Sequence, residues 1–365
     1  MLILACLFVA PVSNAQGFVE TGIRSLDTPV DPRTVAMGES FVAIHGNQTA
    51  FIYNPAGTVG IRGVGISYSQ RRVDWTDFTS DFKYHSLVTT LQTPICNVAL
   101  TYARFDQGEF TIINSQGADI GKGKLHDYVI GLSASRRYGN RVALGIAVKT
   151  FDISETITSG SVQPFETTRP ILFDIGALFD LNVHLAEDSL SDTFTIGVSL
   201  QNFGTDFRTR EAQPIENNEL VKLPRYLRLG FSYSVKLLPH SESSLTPFMF
   251  LLTGEYRNLL NGADFQDDDR DFWGFGVEAT FFEIIALRIG GYVSPYNSIY
   301  GRRGTPSLRY GVGLIVPFSR MGITLPFSVR IDYAGIPLHD VFFFSGNKKV
   351  LDAFGLGVMY DAEIF

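Results

Sequence analysis

RYLRLGFSYSVKL, residues 225–237, has two faces. Leu227, Leu229, Phe231, Tyr233, Val235 and Leu237 fall on one; Tyr226, Arg228, Gly230, Ser232, Ser234 and Lys236 fall on the other. Side chains alternate across a strand, so a period of two marks a strand with one apolar face and one small or polar face. The rhythm recurs in NRVALGIAVKT, 140–150, where Val142, Leu144, Ile146 and Val148 oppose Ala143, Gly145 and Ala147. It returns in LDAFGLGVMYD, 351–361, where Phe354, Leu356, Val358 and Tyr360 oppose Ala353, Gly355 and Gly357. The second face is rich in Gly, Ala and Ser rather than Lys and Glu. That suits a crowded lumen with the apolar face turned outward.

Read this way, the chain carries about 14 strands. They lie near 62–72, 81–92, 95–106, 124–138, 140–152, 170–184, 191–203, 224–238, 245–258, 270–282, 284–293, 307–318, 325–334 and 350–363. The connections alternate in length. Those at 73–80, 107–123, 153–169, 204–223, 259–269, 294–306 and 335–349 are long. Those at Thr93-Pro94, Gly139, 185–190, 239–244, Glu283 and 319–324 are short. Antiparallel strands with short turns at one end and longer loops at the other are the layout of an outer-membrane barrel. Hydrocarbon leaves no water for an unpaired edge, so the first strand must meet the last. An even strand number puts both termini on one side, the periplasmic one. The competing reading is a soluble β-sandwich, whose strands also alternate. Aromatics near strand ends favour the membrane as an interfacial girdle: Tyr68, Trp75, Phe105, Tyr138, Phe203, Tyr226, Tyr256, Trp273, Tyr292 and Phe318.

Composition agrees. Of 365 residues 13% are aromatic, 35 are Gly and only 18% are charged, against about 25% in a typical soluble domain. A net charge of −7 weighs against nucleic acid as a partner. MLILACLFVAPVSNA, 1–15, reads as a signal peptide cleaved after Ser13-Asn14-Ala15. A lipobox at Ile3-Leu4-Ala5-Cys6 is the alternative. Removing the segment leaves Cys96 as a single thiol, so no disulfide forms within the chain. Cys and His lack metal-site spacing. The histidines are scattered and no G-x-S-x-G motif occurs. Neither catalytic residue, metal nor cofactor is expected. The acidic run 263–271 lacks the spacing and Gly of a calcium loop and reads as a solvated segment.

Residues 16–60 break the rhythm. Asn47 is a candidate N-cap for a short helix over 48–53, which Pro55 would end. Gly57 would then give freedom for a sharp turn into the first strand. The expected organisation is a signal peptide over 1–15, a small helical hatch over 16–60 and a barrel over 61–365. The fold class is all-β: a 14-stranded antiparallel transmembrane barrel with an N-terminal hatch.

Ala36-Met37-Gly38-Glu39-Ser40-Phe41-Val42-Ala43, followed by Ala50-Phe51-Ile52-Tyr53-Asn54-Pro55-Ala56-Gly57, resembles the "GMGGAFVA…A…NPAG" opening of the PorV/PorQ family. Those outer-membrane barrels are similar to FadL-type long-chain fatty acid transporters. Leu223-Pro224-Arg225-Tyr226-Leu227-Arg228-Leu229-Gly230 resembles the family's "LPRTLRLG" strand. Gly276-Val277-Glu278 with Ala286–Tyr292, and Arg330–Ala334, resemble its "GVEY…LALRAGY" and "LDYAY". Here Glu39-Ser40 replaces the usual Gly-Ala, and Thr58 follows the NPAG where Leu is common.

The resemblance marks Met37, Gly38, Asn54, Pro55, Ala56 and Gly57 as the hatch motif. It implies either of two functions. PorV-like barrels bind the C-terminal signal domain of exported proteins in type IX secretion and hand the cargo on, alongside other secretion components. FadL-like barrels admit hydrophobic small molecules. The alternation adds lumen charges at Arg228, Glu255, Glu278, Arg288, Arg309, Arg330 and Asp332, as a binding or gating lining or as a structural ion-pair network. Terminal Phe365 resembles the signal read by the barrel-assembly machinery. The expected location is the bacterial outer membrane, with its lipid as a partner.

Overall fold

The computed structural model describes residues 24–27, 31–72, 82–113, 116–158, 166–167, 169–181, 190–205, 207–210, 220–221, 223–237, 245–260, 271–295, 303–337 and 350–360. The signal segment 1–15, Trp75, all of the acidic run except Asp271, and Phe365 lie outside them.

The strands are β1 (Val64–Arg72), β2 (Lys83–Gln92), β3 (Asn97–Ile113), β4 (Asp119–Tyr138), β5 (Val142–Ile157) and β6 (Glu166–Thr167). Then come β7 (Ile171–Leu181), β8 (Leu190–Gly204), β9 (Phe207–Arg210), β10 (Leu220–Val221), β11 (Tyr226–Leu237) and β12 (Phe248–Leu259). The last are β13 (Asp271–Phe281), β14 (Ile285–Val293), β15 (Pro306–Pro317), β16 (Phe327–Pro337) and β17 (Val350–Tyr360). All but β6, β9 and β10 form one closed barrel of 14 antiparallel strands. Closure is made by β1 against β17, from Val64↔Tyr360 to Arg71↔Ala353. No sheet edge is left along the barrel wall, as hydrocarbon requires.

The period of two sorts the side chains. Ile66, Leu132, Leu144, Ile146, Ile175, Ile289, Ile331 and Leu356 face outward, while Ser69, Ala99, Ser133, Ala143, Ala353 and the lumen charges other than the half-buried Arg330 are buried inside. Aromatics flank the outer apolar band at both ends. Tyr68, Tyr102, Tyr256, Trp273, Tyr310 and Phe354 stand near the long-loop end, with Tyr138, Phe179, Phe248, Phe281 and Phe327 near the short-turn end. From Tyr128 to Tyr138 along β4 is roughly 33 Å of strand, or about 25 Å of height at a tilt near 40°. That is the height of a membrane-spanning apolar band.

Four expectations are corrected. The segment 107–123 is not a long loop, because β3 and β4 continue as one hairpin well past the membrane band. Phe110 lies over Gly123, where an added Cβ would sit 2.3 Å from its ring, and Lys122 bonds Glu109 at 2.6 Å. The loops 153–169 and 204–223 carry the end of β5 and a three-stranded sheet of β10, β9 and β6. Phe105, Tyr226 and Tyr292 belong to no girdle; they are buried inside the barrel.

The fourth correction concerns the hatch. Two short helices, α1 (Arg24–Asp27) and α2 (Pro32–Ala36), precede the expected one, which is a single 3-10 turn, η1 (Ala50–Ile52). Pro55 does not end a helix but opens a second such turn, η2 (Pro55–Thr58), capped by the Asn54 side chain. Gly57 serves packing rather than turning, since an added Cβ there would meet the Ala50 Cβ at 2.6 Å. The positive φ values in the turn from η2 into β1 belong to Gly60 and Gly63, at 88° and 67°.

Candidate functional site

The lumen is occupied by residues 31–63, which run round the inner wall against the strand order from Pro32 at β17 to Val42 at β8, recross to β1 and β17 at Gln48, and return to β7 and β5 at Asn54–Ala56. An added Cβ on Gly355 of β17 would sit 3.1 Å from Pro32, on Gly311 of β15 2.6 Å from Ala36, and on Gly290 of β14 2.5 Å from the Gly38 nitrogen. The same holds for Gly276 of β13 against Met37 (2.6 Å), Gly197 of β8 against Val42 (2.3 Å) and Gly145 of β5 against Ala56 (2.3 Å). Each of these strands gives up a side chain where the hatch passes, against its backbone at Gly145, Gly197, Gly276 and Gly290 and against Pro32 and Ala36 side chains at Gly355 and Gly311.

Polar side chains fix that path. The Phe41 and Val42 amides donate to Glu255 Oε2 at 2.7 and 2.8 Å, and Arg228 donates to Glu255 Oε1 at 2.6 Å. Ser232 donates to the Ala43 carbonyl at 3.0 Å, and Gln201 to that of Ile52 at 2.8 Å. Asn54 caps η2 with its oxygen and donates through Nδ2 to the Val42 and Ala177 carbonyls. Thr58 meets Ser135 at 2.6 Å, and Asn97 reaches the Thr58 and Ile61 carbonyls. An exposed loop would bond to water instead.

Two ionic clusters complete the seat. Arg33 of α2 forks onto Glu278 at 2.8 and 2.5 Å. Arg288 joins Glu278 to Asp332 at 2.6 Å each, and Arg330 closes on Asp332. Arg288 and Asp332 lie on β14 and β16, with β15 between them. They meet because Gly313 leaves the space: an added Cβ there would sit 2.5 Å from Asp332 Oδ1. The second cluster is Glu39, bonded by Arg309 at 2.6 Å with Arg257 at 3.6 Å. Tyr292 lies under both guanidiniums, and Tyr226 and Phe272 under that of Arg257. Glu39 has φ 62°, next to Gly38 at 64°. This left-handed pair stands where the resembling family has Gly-Gly. Burial pushes the Glu39 carboxyl up, but Arg309, Arg257 and Arg71 outweigh it and hold the carboxyl below its ordinary value.

The seven lumen charges named from sequence thus all face inward. Six contribute to the two ion-pair groups around Glu255 and Glu278, and Arg309 joins Glu39. Among the described residues no group of three or more His, Cys, Asp or Glu is placed to hold a metal. Reading the strands alone missed the hatch partners Arg33 and Glu39. It also missed Arg257, which sits two residues beyond Glu255 on the same face and was open to the same period-two reading.

Free volume beside the hatch is divided. A polar cavity of about 160 Å³ lies between Asn47-Gln48 and β1, β16 and β17. Another, of about 150 Å³, lies between Ala43–His45 and β8, β11, β12 and β13. A third, of about 50 Å³, lies between α1, η1 and the wall of β2–β8, against Leu26, Phe51, Ile52, Tyr53, Tyr84, Ala103 and Val129. Its cations are engaged, Lys149 by Asp174 at 2.6 Å and Arg228 by Glu255. The helix α1 that walls it meets the barrel through Ser25 N to Asp127 at 3.0 Å and Tyr84 to the Ser25 carbonyl, with Leu26 packed against the Val129–Phe151–Leu172–Leu223 cluster.

A closed barrel with an outward apolar band, two aromatic girdles and an internal plug is a barrel of the outer-membrane type. The sequence matches no protein-family model and no curated protein. Solved structures match along most of the chain. The CymD monoaromatic hydrocarbon channel has TM-score 0.48 at 10% identity, covering 92% of this chain and 98% of that one. The Pseudomonas putida toluene transporter TodX has TM-score 0.49 at 8% identity, covering 90% and 96%. A Pseudomonas aeruginosa FadL homologue has TM-score 0.42 at 11% identity, covering 92% and 99%. The likeness is one of barrel architecture. The PorV/PorQ resemblance rests on the motifs quoted above.

Proposed function

We propose that this barrel admits small hydrophobic or amphipathic molecules across the bacterial outer membrane, with the long loops outside and the short turns in the periplasm. The observation that carries the reading is the apolar-walled cavity beside α1. There the apolar side chains of Leu26, Phe51, Ile52, Ala103 and Val129, engaged charges and the first hatch helix meet. At about 50 Å³ it holds one or two waters, whose share of liquid volume is about 30 Å³ each. A larger molecule therefore passes when α1 moves off β2 and β4, while the ion-paired segment beyond Pro32 stays seated.

The test is uptake of a radiolabelled monoaromatic hydrocarbon or medium-chain fatty acid by cells expressing the barrel. Cys96→Ser is combined with Leu26→Cys and Val129→Cys, and a short bis-thiol crosslinker ties α1 to β4. Uptake is expected to fall to the level of cells lacking the barrel on crosslinking and to return with uncrosslinked protein. Unchanged uptake by the crosslinked barrel sinks the reading.

A second reading is favoured by the loop sheet. The segments 153–169 and 204–223, natural contact sites for protein cargo, carry β6, β9 and β10 as one structured sheet. A secretion-associated barrel of PorV/PorQ type would present such a platform to exported proteins. Mild-detergent purification from the native membrane, followed by mass spectrometry, separates the two. Bound proteins sharing a C-terminal β-domain support secretion; a lone barrel carrying hydrophobes supports transport.

A further inference from the structure

On the outer wall, at the long-loop end of β1–β4, basic side chains face one another. Arg72 of β1 is the direct cross-strand partner of Lys83 of β2, and His85 of β2 is that of Arg104 of β3. All four point away from the lumen, since their neighbours Arg71, Tyr84 and Phe105 are buried inside it. Arg72 and Lys83 are like charges directly opposite on a sheet face, which destabilises the pair. Among the described residues the carboxylate at hand is Asp106, which lies opposite Lys83 and is engaged by Arg104 at 2.8 and 2.6 Å. His126 of β4 lies opposite Asp106 and adds a second imidazole. Elsewhere at this level the described outward ionic groups include Asp271, bonded by Tyr256, Asp352, bonded by Tyr333, and Asp152, bonded by Arg169. The grouping of Arg72, Lys83 and Arg104 is basic, on a chain whose net charge is −7.

Its height identifies the occupant. Tyr68 bonds His85 at 2.7 Å, and Tyr102 lies two residues below Arg104 on the outward face. These tyrosines belong to the girdle that marks the boundary of the hydrocarbon. The cluster begins one step beyond it, where lipid headgroups lie. We propose that Arg72, Lys83, His85 and Arg104 bind the phosphate of a phosphorylated lipid headgroup in the outer leaflet, its acyl chains lying along Ile66, Leu87 and Leu100. The bound phosphate relieves the Arg72–Lys83 pair. The inference rests on the long-loop end facing outward but not on what the lumen carries.

The test uses the full-length barrel, delipidated in detergent and returned to nanodiscs of phosphatidylcholine with a tenth of diphosphorylated lipid A, or the same lipid A stripped of its phosphates. Retained lipid is counted by native mass spectrometry, and affinity is read by titration. Wild type is expected to keep the phosphorylated lipid and lose the stripped one. Each juxtamembrane Lys or Arg contributes about a fivefold factor to anionic-lipid binding, so Arg72→Gln with Lys83→Gln should weaken binding roughly ten- to thirtyfold. Lys236→Gln with Arg320→Gln, near the other end of the barrel, removes the same charge and should leave binding intact. Equal retention of stripped lipid, or equal loss in both double variants, overturns the proposal. Displacement by inorganic phosphate at concentrations matching the lipid overturns it in favour of a free-anion site.

Discussion

Replacing Glu255 by Ala should free the middle of the hatch while leaving the barrel closed. Glu255 Oε2 accepts the amides of both Phe41 and Val42, and Oε1 holds Arg228. Hydrogen bonds to a charged partner are each worth about 1.5–3 kcal/mol net, so the two amides lose roughly 3–6 kcal/mol of seating. Arg228 keeps its bond to Gln201 at 2.7 Å, and water entering the vacated space recovers part of the loss. A net local cost of about 3–4 kcal/mol remains, or two to three decades in an opening equilibrium. Hydrogen exchange read by mass spectrometry on peptides covering 37–46 should show that acceleration. Peptides from β12 and β13 should exchange as before, because their ladder bonds are untouched. Glu255→Gln keeps one acceptor and should fall between. If 37–46 keep their protection in the Ala variant, or if the whole barrel loosens with them, Glu255 is not what seats the hatch.

Gly290→Ala puts a Cβ 2.5 Å from the Gly38 nitrogen and should destabilise by about 1–3 kcal/mol, measured as a lower midpoint in thermal unfolding. Arg288→Ala strips both Glu278 and Asp332 of a shared partner and should cost about 3–5 kcal/mol. Gly313→Ala should lower the same midpoint by pushing that bridge apart, with the charges all still present. Glu39→Gln should lower hatch stability above pH 4.5, since a carboxyl held below its ordinary value gives its full contribution above the unfolded value and loses it as pH falls through the folded one. Exchange rates of the 37–46 peptides in wild type and variant should therefore converge in strong acid; a gap that persists there contradicts the assignment.

Strand number, barrel closure and the direction of each face were legible because a bilayer imposes a period of two on every strand. NRVALGIAVKT turns Leu144 and Ile146 to lipid and Gly145 inward, as its alternation requires. Aromatics were harder. Tyr226 and Tyr292 sit at strand ends like girdle residues, yet their parity places them inside, where Arg257 and Arg309 stack on them. Position along a strand sets height, and only parity sets the side. The hatch was least legible, because its conformation is imposed by the wall. Asn47–Tyr53 carries a capping pattern that an isolated chain could extend into a helix, but within the barrel it closes a single 3-10 turn.

The inner face can be read as an imprint of the hatch. Lipid fixes the outward residues as apolar, leaving the inward ones to be set by whatever fills the lumen. Glycines stand where the hatch passes, at Gly145, Gly197, Gly276, Gly290 and Gly311, and charges stand where it turns. Such a fit tolerates little movement. Shifting the hatch as a body would bring its backbone against side chains on every neighbouring strand and strip Glu278, Glu39 and Glu255 of partners at once. Several buried ion pairs broken together at about 3–5 kcal/mol each would exceed the stability of an ordinary domain. The segment 31–61 therefore acts as part of the wall. The helix α1 precedes that segment and borders the space lined by Leu26, Phe51, Ile52 and Val129.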